Sequence, residues 1–270
     1  MNQKIGRRSF LTAAGIGLAG FPLLGHSMAR VKPSGRIRVA HIGTGNRGNA
    51  VMRCFCSLPD VETVALCDVD SVRLANSVKL LSSISPAAKP DTYADFRRII
   101  DRKDVDVITC ATPDHWHALI AIMAFESGKD VYGEKPLSYS LREGQLMEKE
   151  LLRHKSVFQL GTQIHAGDNY HRVTELIRSG VLGKIHTVRL WKTGGTSGLG
   201  FPRNEPPPPT LDWNMWLGPA PLVEYTPVRC HGSFRSFFDY SGGVFADFWC
   251  HIADVMFMSL HPTGLSSIDA

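Results

Sequence analysis

The sequence has little sulfur chemistry to offer. Six cysteines occur in 270 residues, Cys54, Cys56, Cys67, Cys110, Cys230 and Cys250, and none forms a C-x-x-C pair. That spacing gives no zinc motif and no disulfide framework, so no metal is expected. Cys67 and Cys110 end apolar runs, where a reduced thiol behaves as a small hydrophobe, and buried cysteines are the simplest account. Internal repeats are absent, and low complexity is confined to Pro206–Pro209. There is no basic stripe with interleaved aromatics, which argues against nucleic-acid binding. A composition of 43% hydrophobic and 20% charged residues excludes disorder, collagen and coiled coil.

Acid is missing from residues 1–29, which carry Lys4, Arg7 and Arg8 and so three of the five net positive charges. The rest of the chain is close to neutral. Gly6-Arg7-Arg8-Ser9-Phe10-Leu11 precedes an apolar run, Thr12–Leu24, too short for a comfortable bilayer span, and Ser27-Met28-Ala29 offers small residues to a signal peptidase. A cleaved export signal is expected, with no membrane anchor after cleavage. The arginine pair resembles a twin-arginine signal, which implies the twin-arginine export machinery as partner and a periplasmic or otherwise exported protein. An ordinary secretory leader that happens to hold two arginines is the alternative.

Residues 30–36 read as a linker. From Ile37 to about His154, strand-like runs (Ile37–Ile42, Val61–Cys67, Val105–Cys110, Asp130–Tyr132) alternate with helical spacing (Asn46–Ser57, Ser71–Leu81, His115–Ser127). This alternation predicts an α/β fold of parallel strands with helical crossovers, and a dinucleotide-binding domain over residues 37–153. Ser82–Asp91 reads as a loop. A second domain is expected over residues 154–270. In it Asp168–Gly180 reads as a helix, Ile185–Trp191 as a strand, Thr193–Thr210 as a Gly/Pro-rich excursion, and Val244–Leu260 as one apolar helix. An excursion this long suggests the wall or lid of a pocket.

Gly43-Thr44-Gly45-Asn46-Arg47-Gly48 is a G-x-G-x-x-G turn between a strand and a helix. Its glycines permit a tight turn, close approach of a pyrophosphate, and helix–strand packing. Asp68 ends the next strand, where a carboxylate accepts the adenosine ribose hydroxyls and repels a ribose phosphate. NAD is therefore favoured over NADP, although Arg73 lies near. The loops Thr112-Pro113-Asp114-His115-Trp116-His117 and Glu134-Lys135-Pro136 follow later strands and should converge on one crevice.

Together these motifs resemble the Gfo/Idh/MocA oxidoreductases. Leu211–Pro221 resembles the segment of their exported, twin-arginine members, and Gly242-Gly243 through Asp247, His251 and Asp254 resembles their G-G-x-x-x-D-x-x-x-H-x-x-D helix. The resemblance implies a Rossmann domain followed by an α/β domain with an open, largely antiparallel sheet that carries the substrate site. It implies cofactor contacts at Asn46, Arg47, Asp68, Asp114 through His117, Glu134, Lys135 and Gln163, beside the glycines and Thr112. Lys135, Asp247 and His251 fall on positions implied to be catalytic. Trp249 stands where the family places a small residue, so no relative's substrate carries over. Relatives of this branch continue past the catalytic helix. The sheet and any homo-oligomer interface are therefore expected to be unfinished at Ser266–Ala270.

In a regular helix Asp247, His251 and Asp254 share one stripe. Oxidising a hydroxyl of a sugar, cyclitol or glycoside needs a hydride acceptor, a base and positive charge near the forming alkoxide. Nicotinamide, His251 and Lys135 fit those roles, with Asp247 orienting substrate or His251. Export of a folded protein implies NAD held tightly and regenerated in place. The alternatives are an NAD-dependent glycosidase acting by transient oxidation and elimination, and a non-catalytic nucleotide-binding fragment.

Overall fold

The computed structural model describes residues 35–192, 198–264 and 267. The leader, most of the 30–36 linker and, apart from Ser267, the strand start read at Ser266–Ala270 lie outside the described residues.

Six strands form one parallel sheet in the order β3-β2-β1-β4-β5-β6. They are β1 Ile37–Ile42, β2 Val61–Cys67, β3 Asp91–Tyr93, β4 Val107–Cys110, β5 Asp130–Glu134 and β6 Phe158–Gly161. Helices α1 Asn46–Cys56, α2 Ser71–Ile84, α3 Arg97–Ile100, α4 Asp114–Glu126 and α5 Leu141–His154 make the crossovers. Both faces of the sheet are covered, as parallel sheets require. Ala40, Ile42, Ala65 and Ile108 pack against Ile120, Ala124 and Phe125 of α4 on one side. Met52, Leu66 and Leu81 form a smaller cluster with α1 and α2. The strand order reverses beside β1, between β1 and β4, which opens a crevice at the carboxyl ends of the strands.

The reading of the first half holds in outline, but the stretch read as a loop, Ser82–Asp91, is shorter, because α2 runs on to Ile84 and β3 begins at Asp91. Strand β3 and helix α3 are too short to leave a periodic signal. The alternation read as ending near His154 goes one strand further, because β6 pairs with β5 in the same sheet. All six cysteines are free. Cys67, Cys110 and Cys230 are buried, but Cys54 is exposed on α1 and Cys56 and Cys250 are only partly covered.

The second half departs more. Helix α6, Asp168–Arg178, forms as expected. Ile185–Trp191 is not a strand: these residues are irregular and mostly exposed, and among the described residues no neighbouring strand completes their hydrogen bonds. After Gly161 the described residues contain only one isolated bridge, Asp70 with Leu211, so the antiparallel sheet is not formed among them. What forms is a second apolar cluster, built by helix α7 (Trp213–Leu217). Asp212 caps α7, and Trp213 stacks on Trp216 at 4.8 Å, with Tyr225, Phe234 and Tyr240 around them. The expected Val244–Leu260 helix is two helices, α8 Gly243–Ile252 and α9 Asp254–Leu260, meeting at Ala253.

A buried polar trio, His41, Thr63 and Thr109, sits inside the sheet. His41 is 1% exposed, and its ring nitrogens lie 2.7 Å from Thr109 Oγ1 and 3.2 Å from Thr63 Oγ1. Burial lowers its pKa to about 3. The folded ring stays neutral where the unfolded chain takes up a proton, so this contribution to stability is intact above pH ~6.5 and falls as pH drops toward 3. Replacing His41 with Leu should flatten the loss of denaturant stability between pH 6.5 and 4. An unchanged slope would show that other groups carry it.

Candidate active site

The glycine turn is built for close approach. Gly43 has φ +81°, and a Cβ on Gly48 would stand 1.8 Å from the Gly43 carbonyl oxygen. No side chain caps the start of α1, so its first N–H groups face the crevice unpaired by any cap. Asp68 Oδ2 accepts from Thr44 N at 2.8 Å and Thr44 Oγ1 at 3.1 Å, and Oδ1 accepts from Asp70 N at 2.9 Å. The carboxylate is thereby fixed at the end of β2.

A cavity of about 380 Å³ opens above the strand ends. Gly43, Gly45, Asn46, Arg47 and Asp68 line one part of it, and Thr112, Asp114, Trp116, Glu134, Lys135 and Gln163 line another, with His251. Arg47 pairs with the buried Glu134 at 2.7 Å, fastening α1 to the end of β5. Asp114 is 3% exposed, its Oδ2 has no hydrogen-bond partner among the described residues, and burial raises its pKa.

Three expected cofactor residues do not line the cavity. Gly48 packs beneath the turn. His115 lies buried among Trp116, Trp216 and Tyr240, with Nε2 3.2 Å from the Trp216 carbonyl oxygen. Its pKa falls to about 4, chiefly through burial. His117 faces the carbonyl oxygens of Pro136 and Thr112 at 2.7 and 3.0 Å, holding the loops after β4 and β5 together. Both histidines sit one layer behind the surface because α4 is buried almost all round.

The catalytic candidates are partly assembled. Lys135 Nζ donates to Asp247 Oδ1 at 2.5 Å and to the Asp247 carbonyl oxygen at 3.0 Å. Arg235 Nε donates to the same carboxylate oxygen at 3.0 Å. Burial pushes the Asp247 carboxyl up, but the hydrogen bond and charge of Lys135, joined by Arg235, outweigh it and hold the pKa below the usual range. Asp247 thus holds two cations rather than His251. His251 borders the cavity with Nδ1 buried and, among the described residues, unpartnered, and burial and the Lys135 charge lower its pKa. Asp254 leaves the expected stripe: it faces His165 Nδ1 at 3.2 Å, beyond the break at Ala253.

Sequence reasoning missed Arg235, His231 and the wall formed by Met215, Trp216 and Phe234. No periodicity marks these positions; only the docking of the aromatic segment brings them to the cavity. That docking ends on main-chain carbonyls, which receive both main-chain and side-chain donors. Ser71 N donates to Thr210 O at 2.9 Å, Asp212 N to Val69 O at 3.0 Å, and Trp116 Nε1 to Trp216 O at 3.0 Å.

Two family descriptions match the chain. "Oxidoreductase family, NAD-binding Rossmann fold" matches residues 37–162, and "Oxidoreductase family, C-terminal alpha/beta domain" matches residues 167–265. The chain is 28% identical over 204 residues to a "Glycosyl hydrolase family 109 protein" of Shewanella pealeana, covering 68% of this chain and 45% of the relative. It is 31% identical over 197 residues to another of that name from Solibacter usitatus, covering 68% and 44%. Among solved structures it is similar to a myo-inositol 2-dehydrogenase from Lactobacillus plantarum, with 28% identity, a TM-score of 0.49, and 56% of this chain and 43% of that one covered. The chain spans a little under half the length of the curated relatives it matches.

Removing the carboxylate should leave two cations without their partner. Asp247→Asn is expected to lower unfolding free energy by about 3 kcal/mol, read by urea denaturation at pH 7. A loss under about 1 kcal/mol would mean that the cluster is solvated like a surface pair.

Proposed function

The chain belongs to the Gfo/Idh/MocA oxidoreductase family, and from that premise we propose that it oxidises or reduces a CH–OH group of a sugar, cyclitol or glycoside with a tightly held nicotinamide dinucleotide. The observation that carries this reading is a shared cavity, in which Lys135 and His251 border the same space as the glycine turn and Asp68. The open glycine cradle and the uncapped start of α1 suit a diphosphate.

Gly43, Gly45, Asn46, Arg47 and Asp68 would hold the dinucleotide at its adenosine and phosphate end, with Thr112, Asp114, Trp116, Glu134 and Gln163 along the rest. A bound nicotinamide supplies the hydride acceptor or donor. His251, kept neutral near pH 7 by burial and the Lys135 charge, takes the hydroxyl proton. Lys135 offers its ammonium to the oxygen that becomes negative. Asp247 keeps that ammonium in place from behind. Asp68 favours NAD over a 2′-phosphorylated form through its negative charge. The arginine pair and apolar leader support loading of the cofactor before twin-arginine export and use outside the cytoplasm.

A second reading, a glycosidase in which oxidation is only transient, is favoured by the name that the curated relatives carry. Mass spectrometry of the purified protein should find a co-purified dinucleotide. A sugar-oxidation screen beside nitrophenyl glycosides then separates net redox from net hydrolysis, and no turnover of either class would overturn both readings. In whichever assay turns over, Lys135→Ala and His251→Ala should each lower kcat by about 10²–10⁴-fold. The wild-type rate should hold through neutral pH and fall only below the range of an ordinary imidazole, where His251 protonates, and His251→Ala should lose that limb.

A further inference from the structure

His41 and His117 are both closed off from solvent, and each sets both ring nitrogens at hydrogen-bond distance from oxygen. The two sets of oxygens differ in kind. For His41 they are the Thr63 and Thr109 hydroxyls, which can donate or accept, so a neutral ring is satisfied. For His117 they are main-chain carbonyls, that of Pro136 at 2.7 Å from Nδ1 and that of Thr112 at 3.0 Å from Nε2. A carbonyl oxygen only accepts. A neutral imidazole would turn the lone pair of one nitrogen onto such an oxygen, at a residue only 3% exposed, where leaving a polar atom unsatisfied is costly. The geometry calls for hydrogen on both nitrogens, which is the charged form of the ring.

A buried cation needs a counter-charge, and a buried acid lies one turn back on the same helix. Glu134 is met by Arg47, and Asp247 by Lys135 and Arg235, but among the described residues no ion pair reaches Asp114. Burial works against charge on Asp114; His117 favours it, as does Arg235, while Asp247 opposes it. The other titratable group facing the His117 ring is His115, which burial keeps neutral. We propose that His117 is held as an imidazolium with Asp114 as its counter-charge, and that this charged staple is a positioning device for Lys135. Pro136 directly follows Lys135, and Thr112 belongs to the loop after β4, so one ring fixes the spacing of the two loops. Hydrogen bonds from a charged donor are roughly twice as strong as neutral ones. The role toward Lys135 rests on the reading of the cleft given above; the charge on the ring does not.

Nuclear magnetic resonance of the full-length protein, isotope-labelled in its histidine rings, tests the charge directly. At pH ~7.5 a solvent-exposed imidazole is neutral, and proton–nitrogen correlation should nevertheless show two N–H nitrogens on one ring. That signal should be absent from both His117→Gln and His117→Asn. A bare nitrogen on the His117 ring at this pH overturns the proposal. Asp114→Asn should strip the second proton at the same pH, and a ring still doubly protonated would remove Asp114 as the counter-charge. In whichever assay turns over, kcat should fall with rising pH across the range where the spectrum shows the second proton leaving. His117→Gln, which cannot titrate, should run about 10- to 100-fold slower and lack that limb. A wild-type rate that ignores the titration overturns the positioning role. A doubly protonated ring in a protein that turns over neither substrate class leaves the charge standing and overturns the reading of the cleft, and with it the role toward Lys135.

Discussion

One carboxylate holds the candidate site together. Asp247, on a helix of the second half, receives Lys135 from the end of the fifth strand and Arg235 from the segment between the aromatic cluster and that helix. Its burial is tolerable only because two cations offset the desolvation. The same charges act in opposite senses on their neighbours. The ammonium that holds Asp247 ionised also disfavours a proton on His251, so a charged donor and a neutral base stand side by side at one pH. Neither half of the chain has this arrangement alone, because the groups come from positions more than a hundred residues apart.

Around that centre, side chains expected to touch cofactor turn out to be structural. His115 sets Nε2, and His117 both ring nitrogens, against carbonyl oxygens, and in doing so they fix the aromatic segment and the two strand-end loops that present Asp114, Trp116 and Lys135. Binding surface and supporting layer therefore alternate along one helix start. Arg47 does a comparable job from the other side, tying the glycine-turn helix to Glu134.

What could be read from the sequence followed from how local the cause was. The glycine turn, Asp68 and the strand-end loops are local patterns in a repeating strand–helix unit, and the structure places them where the pattern implies. The Ile185–Trp191 strand failed because β-structure needs a partner, and alternation in one segment says nothing about whether a partner is there. The single Val244–Leu260 helix failed at Ala253, where no proline or glycine announces the break, and this separates Asp254 from Asp247 and His251. Arg235 and His231 gain their meaning only from distant contacts, for which one sequence carries no mark.

The joint between the aromatic segment and the sheet is anchored on three main-chain carbonyls, those of Val69, Thr210 and Trp216. Backbone groups persist whatever side chain is attached. Residues such as Met215 and Phe234 can then change the contour of the cavity wall while the hold on the strand ends stays the same. A protein so built can alter which molecules fit against its cofactor cleft by single substitutions that leave the fold's attachment points untouched.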